Sequence, residues 1–181
     1  LAIHTHNDGG LAVANSLAAV QKGVVMVQGT INGYGERCGN ADLIQVIANL
    51  QLKMGKKCLP LESIRQLTGL SHYISDVANI PPLNSRPFVG RSAFAHKGGV
   101  HVSGIVRNAR AYEHIQPELV GNHRRVLVSD LSGKSNVEYK ARELGIDLAK
   151  NDAISKKIVH EVKLMEDRGF QFDAADGSLS L

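Results

Sequence analysis

His4 and His6 stand two residues apart behind the apolar lead Leu1-Ala2-Ile3. In an extended strand such a pair shares a face, so both imidazoles point the same way. Asp8-Gly9-Gly10 then breaks the strand, and Leu11, Ala14, Leu17 and Ala18 recur at helical spacing. The histidines therefore fall at the carboxyl end of a strand that feeds a helix, the end at which barrels and open α/β sheets do their chemistry. Neutral ring nitrogens bind Zn, Mn, Co or Fe, so two that converge there make a divalent-metal platform. The alternative is structural, with one histidine capping the loop and the other packing. Asn40 is a further candidate donor, because it closes the glycine-rich run Asn32-Gly-Tyr-Gly-Glu-Arg-Cys-Gly-Asn40 after a second apolar segment. Its amide oxygen can reach the face carrying the histidines, or it can cap a helix beginning at Ala41. Glu36 and Arg37 either orient Asn40 or pair with each other in the loop.

Those residues need elements to hold them. After the first strand, Gly10 to Gln21 reads as an alanine-rich helix closed by Gly23, and Val24 to Ile31 as a nearly all-apolar strand of the kind buried on both faces. Ala41 to Met54 follows as a helix with Leu43, Ile47 and Leu50 on one face and Gly55 at its end. Two consecutive β/α units of this size match βαβ architecture. Two parallel strands cannot close a barrel or hide their own edges, and the chain opens in mid-strand. The expectation is a fragment whose flanking strands are missing unless another chain supplies them.

From Leu61 onward the pattern turns helical and no strong strand pairing is expected. Leu61 to Ala78 carries Ile64, Leu67, Leu70, Ile74 and Val77 along one side, and Pro81-Pro82 ends it. The loop to Gly90 reads as a hinge to a smaller second domain. The expected divisions are 1–60 (β/α units), 61–90 (helix and linker) and 91–181 (mainly helical). A helix is expected over Val102 to Arg110. Arg124 to Ser129 is a short strand or an extended link. Ser135-x-x-Glu138 matches a capping box for a helix to Leu144 with Gly145 beyond it, and a last helix runs from Asp152 to Arg168. The tail Phe170 to Leu181 starts as one more strand. Ser132-Gly-Lys-Ser135 is not a phosphate loop, since the required glycine five positions before Gly133 is Val128.

Composition narrows the classes. The 181 residues are 43% hydrophobic and 4% aromatic, enough for a globular core. No apolar run reaches membrane-span length and no positively charged segment leads to a signal core, so a cytoplasmic protein with no membrane partner is expected. Cys38 and Cys58 are too few for a disulfide framework or a metal knuckle and are expected as small packing residues. The formal charge of +4 and pI near 9.1 come from Lys and Arg scattered among Glu and Asp. That is a solvated surface and not a nucleic-acid face.

The runs His4 to Ala19 and Gly29 to Ala41, with Ala93-Phe-Ala-His-Lys-Gly-Gly-Val-His101 and Tyr112 to Gly121, resemble the citramalate, 2-isopropylmalate and homocitrate synthases. These belong to the metal-dependent Claisen-condensation superfamily, related to HMG-CoA lyase. The resemblance covers nearly the whole chain, and Val-His-Val-Ser-Gly around His101 is similar to the citramalate synthase branch. It implies an α/β fold comprising the last two β/α units of a TIM (β/α)8 barrel and a mainly helical post-barrel domain. It also implies a metal-binding acidic residue and an enolate-stabilising arginine on a first barrel strand that nothing in this chain matches.

By this resemblance His4, His6 and Asn40 are metal ligands for a divalent ion (Mn, Mg, Zn or Co). His101 is the base that removes a methyl proton from acetyl-CoA, reaching into a neighbouring subunit of a homodimer, and Tyr112 assists it. The implied activity is an acyltransferase that condenses acetyl-CoA with a short 2-oxo acid, pyruvate being favoured, with release of CoA. The metal would polarise the keto group, and the isolated chain is expected to be inactive. Alternatives are 2-isopropylmalate or homocitrate synthesis, or a non-catalytic dimerisation module.

Overall fold

A computed structural model of the chain describes residues 1–129, 131–148 and 152–172, together with 175 and 177. They form two compact units, one of residues 1–93 with 115–123 and one of residues 94–114 with the chain from 124 onward.

The first unit begins with β1 (Ala2–His4), which pairs in parallel with β2 (Met26–Gln28) in the register Ala2 to Met26, Ile3 to Val27 and His4 to Gln28. Helix α1 (Ala12–Gln21) connects them, so this is a β-α-β crossover. Three details depart from the expected pattern. Residues 24–31 were expected to run as one buried strand, yet Val25 is 86% and Met26 51% exposed in a sheet of two strands. The strand also stops early, because Thr30 bridges to Asp42 and Asn32 turns into the left-handed region at φ 64°. Helix α1 is rotated from the expected stripe: Leu11, Ala14 and Ala18 are exposed, and Ala12 and Ser16 are buried. The rotation has a polar cause, since Thr5 Oγ1 and Ser16 Oγ both donate to the Ala12 carbonyl, at 3.1 and 2.8 Å.

Helix α2 (Leu43–Ala48) continues as a π-helical turn over Asn49–Lys53. It packs on α1 through Ala12, Ala41, Val46 and Leu50, with Val13, Leu17, Val20, Val27 and Met54 around them. Two helices, α3 (Leu61–Ile64) and α4 (Leu67–Val77), replace the single expected one. The buried line of α4 is Leu67, Ser71 and Ser75, whereas Leu70 and Val77 are exposed. The loop to Gly90, expected as a hinge, is knitted into this unit by Ser92 N–H to Asn84 O at 2.8 Å and by Asn122 Nδ2 to the Phe88 and Gly90 carbonyls at 3.0 and 3.1 Å.

The second unit does contain strand pairing, contrary to expectation. β3 (Ala95–His96) runs parallel to β4 (Arg125–Val126), which makes 124–129 partly strand. Helix α5 spans Gly99–Arg107, three residues earlier at each end than expected, so His101 lies in its first turn. Helix α6 (Lys134–Glu143) starts from Gly133, not Ser135. In place of the expected serine box, Asn136 Oδ1 accepts from Gly133 N–H at 3.2 Å and its Nδ2 donates to the Lys97 and Leu127 carbonyls at 2.7 and 3.0 Å. Gly145 follows α6 at φ 76°, as a left-handed helix stop requires. Helix α7 (Asp152–Asp167) packs Val162, Ile158 and Met165 on Val128 and Phe172. The tail expected as a strand lies, beyond Phe172, almost wholly outside the described residues.

Both cysteines are exposed, not packed inside. Among the described residues no helix is long and apolar enough to cross a membrane.

Candidate active site

His4 ends β1 and His6 follows at a bridge to Asn40, so the first two loops of the chain meet at the carboxyl end of the sheet. The imidazoles of His4 and His6 sit 5.2 Å apart between ring centroids, edge to face, and both residues are exposed. The two rings come together as their spacing suggests, although His6 lies past the end of β1 and is held by its bridge to Asn40. Backbone bonds zip the loops together: Asn7 N–H donates to Gly39 O at 2.9 Å and Ala41 N–H to Thr5 O at 3.0 Å. Gly39 makes this possible, since it sits at φ 85° and a Cβ there would lie 2.0 Å from the Gly33 carbonyl oxygen.

Asn40 is not the cap of α2. That role belongs to Asp42, whose Oδ1 accepts from Ile44 N–H at 3.0 Å. The Asn40 amide nitrogen donates to Tyr34 O at 3.2 Å, and Gly35 packs so closely that a Cβ on it would touch that nitrogen at 2.4 Å. Asn40 Oδ1 is the buried side-chain acceptor that has no hydrogen-bond partner among the described residues. An orphaned buried acceptor costs about 1–3 kcal/mol, so such atoms have a use where they persist. Two imidazoles and one amide oxygen fit a divalent cation that accepts nitrogen and oxygen donors. No group of three His, Cys, Asp or Glu side chains assembles among the described residues, so the amide is needed to complete a three-donor set.

Glu36 and Arg37 sit in the same loop, but Arg37 grips Asp8 with Nε to Oδ1 at 2.8 Å and Nη2 to Oδ2 at 3.0 Å. Its other guanidinium nitrogen is 3.8 Å from Glu36. Arg37 thus ties the histidine loop to the Asn40 loop, and its hydrogen bond holds the Asp8 carboxyl below its usual range.

His101 and Tyr112 belong to the second unit. Their rings lie against each other in a tilted arrangement, 4.7 Å between centroids and 36° between planes, and Gly104 leaves room for the tyrosine, since a Cβ there would reach its ring at 2.5 Å. Both residues are exposed. Directly beside Tyr112 lies a group that sequence reading missed. Glu113, 3% exposed in its side chain, accepts from Arg124 Nε and Nη2, both at 2.6 Å, and faces His96 Nε2 at 3.3 Å. Burial alone raises the Glu113 pKa, but the Arg124 bonds outweigh it and hold the carboxyl below its ordinary value. Burial lowers the His96 pKa more than Glu113 raises it, and the nearby charges of Arg124 and His101 push the same way. No local signal in the sequence connects these residues, since Glu113 stands 17 positions from His96 and 11 from Arg124. Two clefts of this unit, about 290 and 110 Å³, lie along α6 around Glu138 and Arg142, and neither is lined by His101 or Tyr112 among the described residues.

The sequence matches known proteins along both units. A family model described as HMGL-like matches residues 1–70, and one described as homocitrate synthase post-HMGL domain-like matches residues 88–170. The chain is 54% identical over 181 residues, 100% of its length, to a protein named (R)-citramalate synthase from Geobacter sulfurreducens, of which it covers 34%. A second (R)-citramalate synthase, from Synechocystis, is also 54% identical over 181 residues, with 33% of it covered. A 2-isopropylmalate synthase from Methanocaldococcus jannaschii is 40% identical over 171 residues, 93% of this chain and 33% of that protein. The chain spans about a third of the length of the relatives it matches.

Proposed function

We propose that the chain, similar along both units to the citramalate, 2-isopropylmalate and homocitrate synthase family and within it to the citramalate branch, supplies part of the active site of an acetyl-CoA-dependent condensing enzyme. The observation that carries this is the orphaned Asn40 Oδ1 on a residue bridged to His6, whose ring lies 5.2 Å from that of His4. These three side chains would hold a divalent ion, which would act as a Lewis acid on the keto oxygen of a bound 2-oxo acid. The 54% relatives favour pyruvate as that acid and citramalate as the product.

His101 is the proposed base for the methyl proton of acetyl-CoA, because an exposed imidazole in the first turn of a helix can approach a substrate held on another body. Tyr112, tilted against it at 4.7 Å and exposed like it, would limit the ring's rotation and offer its phenolic hydroxyl to the same proton transfer. Release of CoA then follows by hydrolysis of the thioester. We place His101 against the barrel of a second copy, so the working unit is a homodimer. The exposed apolar residues Val25, just before β2, and Met26, its first residue, would be covered by further barrel strands of the kind the longer relatives have room for.

In the full-length protein, free thiol should appear only when acetyl-CoA, a divalent metal and pyruvate are all present. His4→Ala should lose bound metal and turnover together, whereas His101→Ala should keep the metal and lose turnover by about 10²–10⁴-fold. A metal-free His101→Ala protein, or an active and metal-replete His4→Ala protein, would show the roles to be misassigned. A panel of 2-oxo acids separates citramalate synthesis from the isopropylmalate and homocitrate alternatives.

A further inference from the structure

The loop that ends at Asn40 is held at its neck by a residue from a distant turn. Arg86 Nη1 donates to the Asn32 carbonyl at 2.6 Å and to Asp42 Oδ2 at 2.9 Å. Its guanidinium lies 5.9 Å from the Tyr34 ring centroid. The Arg86 and Asp42 side chains are only 13% and 6% exposed, so water and salt screen this pair little. The two contacts bracket Asn40, one near the start of the loop and one two residues past it. Tyr34, whose carbonyl holds the Asn40 amide, is the third residue under the guanidinium.

The grip falls on backbone that needs holding. Asn32 is a buried non-glycine residue at φ 64°, and its amide is already used, with Nδ2 donating to Ser71 O at 2.8 Å and Oδ1 accepting from Ser71 Oγ at 2.6 Å. The turn that delivers Arg86 is itself over-determined. Gly90 N–H donates to Arg86 O at 2.9 Å, Asn122 holds the carbonyls of Phe88 and Gly90, and a Cβ on Gly90 would lie 2.3 Å from Asn84 O. Phe88 within it has φ 68°, a conformation that a bulky side chain keeps only when its surroundings impose it. Such a turn acts as a rigid arm.

We propose that Arg86 is a positioning residue of the metal site: by fixing the Asn32 carbonyl and Asp42 it holds Asn40 Oδ1 beside His4 and His6. This rests on the metal reading given above. Groups that orient a metal ligand from behind typically change affinity 10- to 100-fold when removed.

The test is Mn²⁺ binding to the full-length protein, followed by calorimetry, with thermal melting alongside. Arg86→Met should weaken Mn²⁺ binding by about 10- to 100-fold. It should also lower the melting temperature, because it strands the Asp42 carboxylate. The double variant Arg86→Met with Asp42→Asn removes that stranded charge and keeps a side chain able to cap α2. It should recover the melting temperature yet stay weak for Mn²⁺, since the Asn32 carbonyl is still ungripped. Wild-type affinity in Arg86→Met, or recovery of both properties in the double variant, overturns the proposal. Separate His4→Ala and Asn40→Ala proteins control for the reading it rests on. If both still bind Mn²⁺ as the wild type does, the metal reading falls and takes the proposal with it. If both lose Mn²⁺ while Arg86→Met does not, only the proposal falls.

Discussion

The informative residues here are the polar ones that burial forces into a single arrangement. Glu113 and His96 are the plainest case, and their shifts carry a sign. Glu113 sits below its ordinary 4.5, with burial opposing the shift and the Arg124 bonds winning; His96 sits below 6.5, chiefly through burial. Both values are lower in the folded state, so the unfolded chain binds more protons in acid and stability must fall with pH. The His96 contribution is complete above 6.5 and is lost as pH drops through its folded value. The Glu113 contribution is complete above 4.5 and is lost below that. Thermal melts of the full-length protein at pH about 5 should therefore be lower than at about 7.5, with the second unit unfolding first. Glu113→Ala should cost about 3 kcal/mol at neutral pH by leaving Arg124 without its carboxylate. An equal melting temperature across that range would remove this account of the network.

At the scale of the element, α4 is the instructive one. Its sequence shows an apolar stripe that includes Leu70 and Val77, yet the fold turns Ser71 and Ser75 inward to meet Asn32 and Tyr34. The helix follows the polar partners of the loop it supports, because an unmet buried amide costs more than an exposed leucine gains. Ser71→Ala should accordingly destabilise by about 1–3 kcal/mol, since it takes the donor from the buried Asn32 Oδ1. Leu70→Ala, at a position 37% exposed, should stay within about 0.5 kcal/mol. Chemical denaturation of both variants decides the point, and the reverse order would restore the apolar stripe as the buried face.

For the whole molecule, the arrangement of candidate residues in separate units sets a sharper test than either unit alone. His4, His6 and Asn40 lie in the first unit, and His101 and Tyr112 in the second. If His101 serves the barrel of a partner copy, a mixed dimer of His4→Ala and His101→Ala subunits contains one complete site, and combining the two inactive proteins restores thiol release. If His101 serves its own barrel, no mixture recovers activity. Deleting everything after residue 90 is a poorer experiment, because residues 115–123 belong to the first unit. Thr68 Oγ1 donates to Val120 O at 2.7 Å, and Gly121 packs where a Cβ would meet Arg65 O at 2.1 Å.

The sequence by itself determined the β/α order of the first unit, the common face of His4 and His6, and the helix stops at Gly23, Gly55 and Gly145. Each depends on a period or a local backbone preference, which a few neighbouring residues settle. It also carried the family, because the runs around His4, Gly29 and His101 are distinctive as strings. Tertiary structure alone decided that Asp42 caps α2 and leaves Asn40 Oδ1 open, that Arg37 takes Asp8, that α4 buries serines, and that Glu113 meets His96 and Arg124. Several of these join residues tens of positions apart, and the choice among competing polar partners is fixed by which of them the packed core excludes from water.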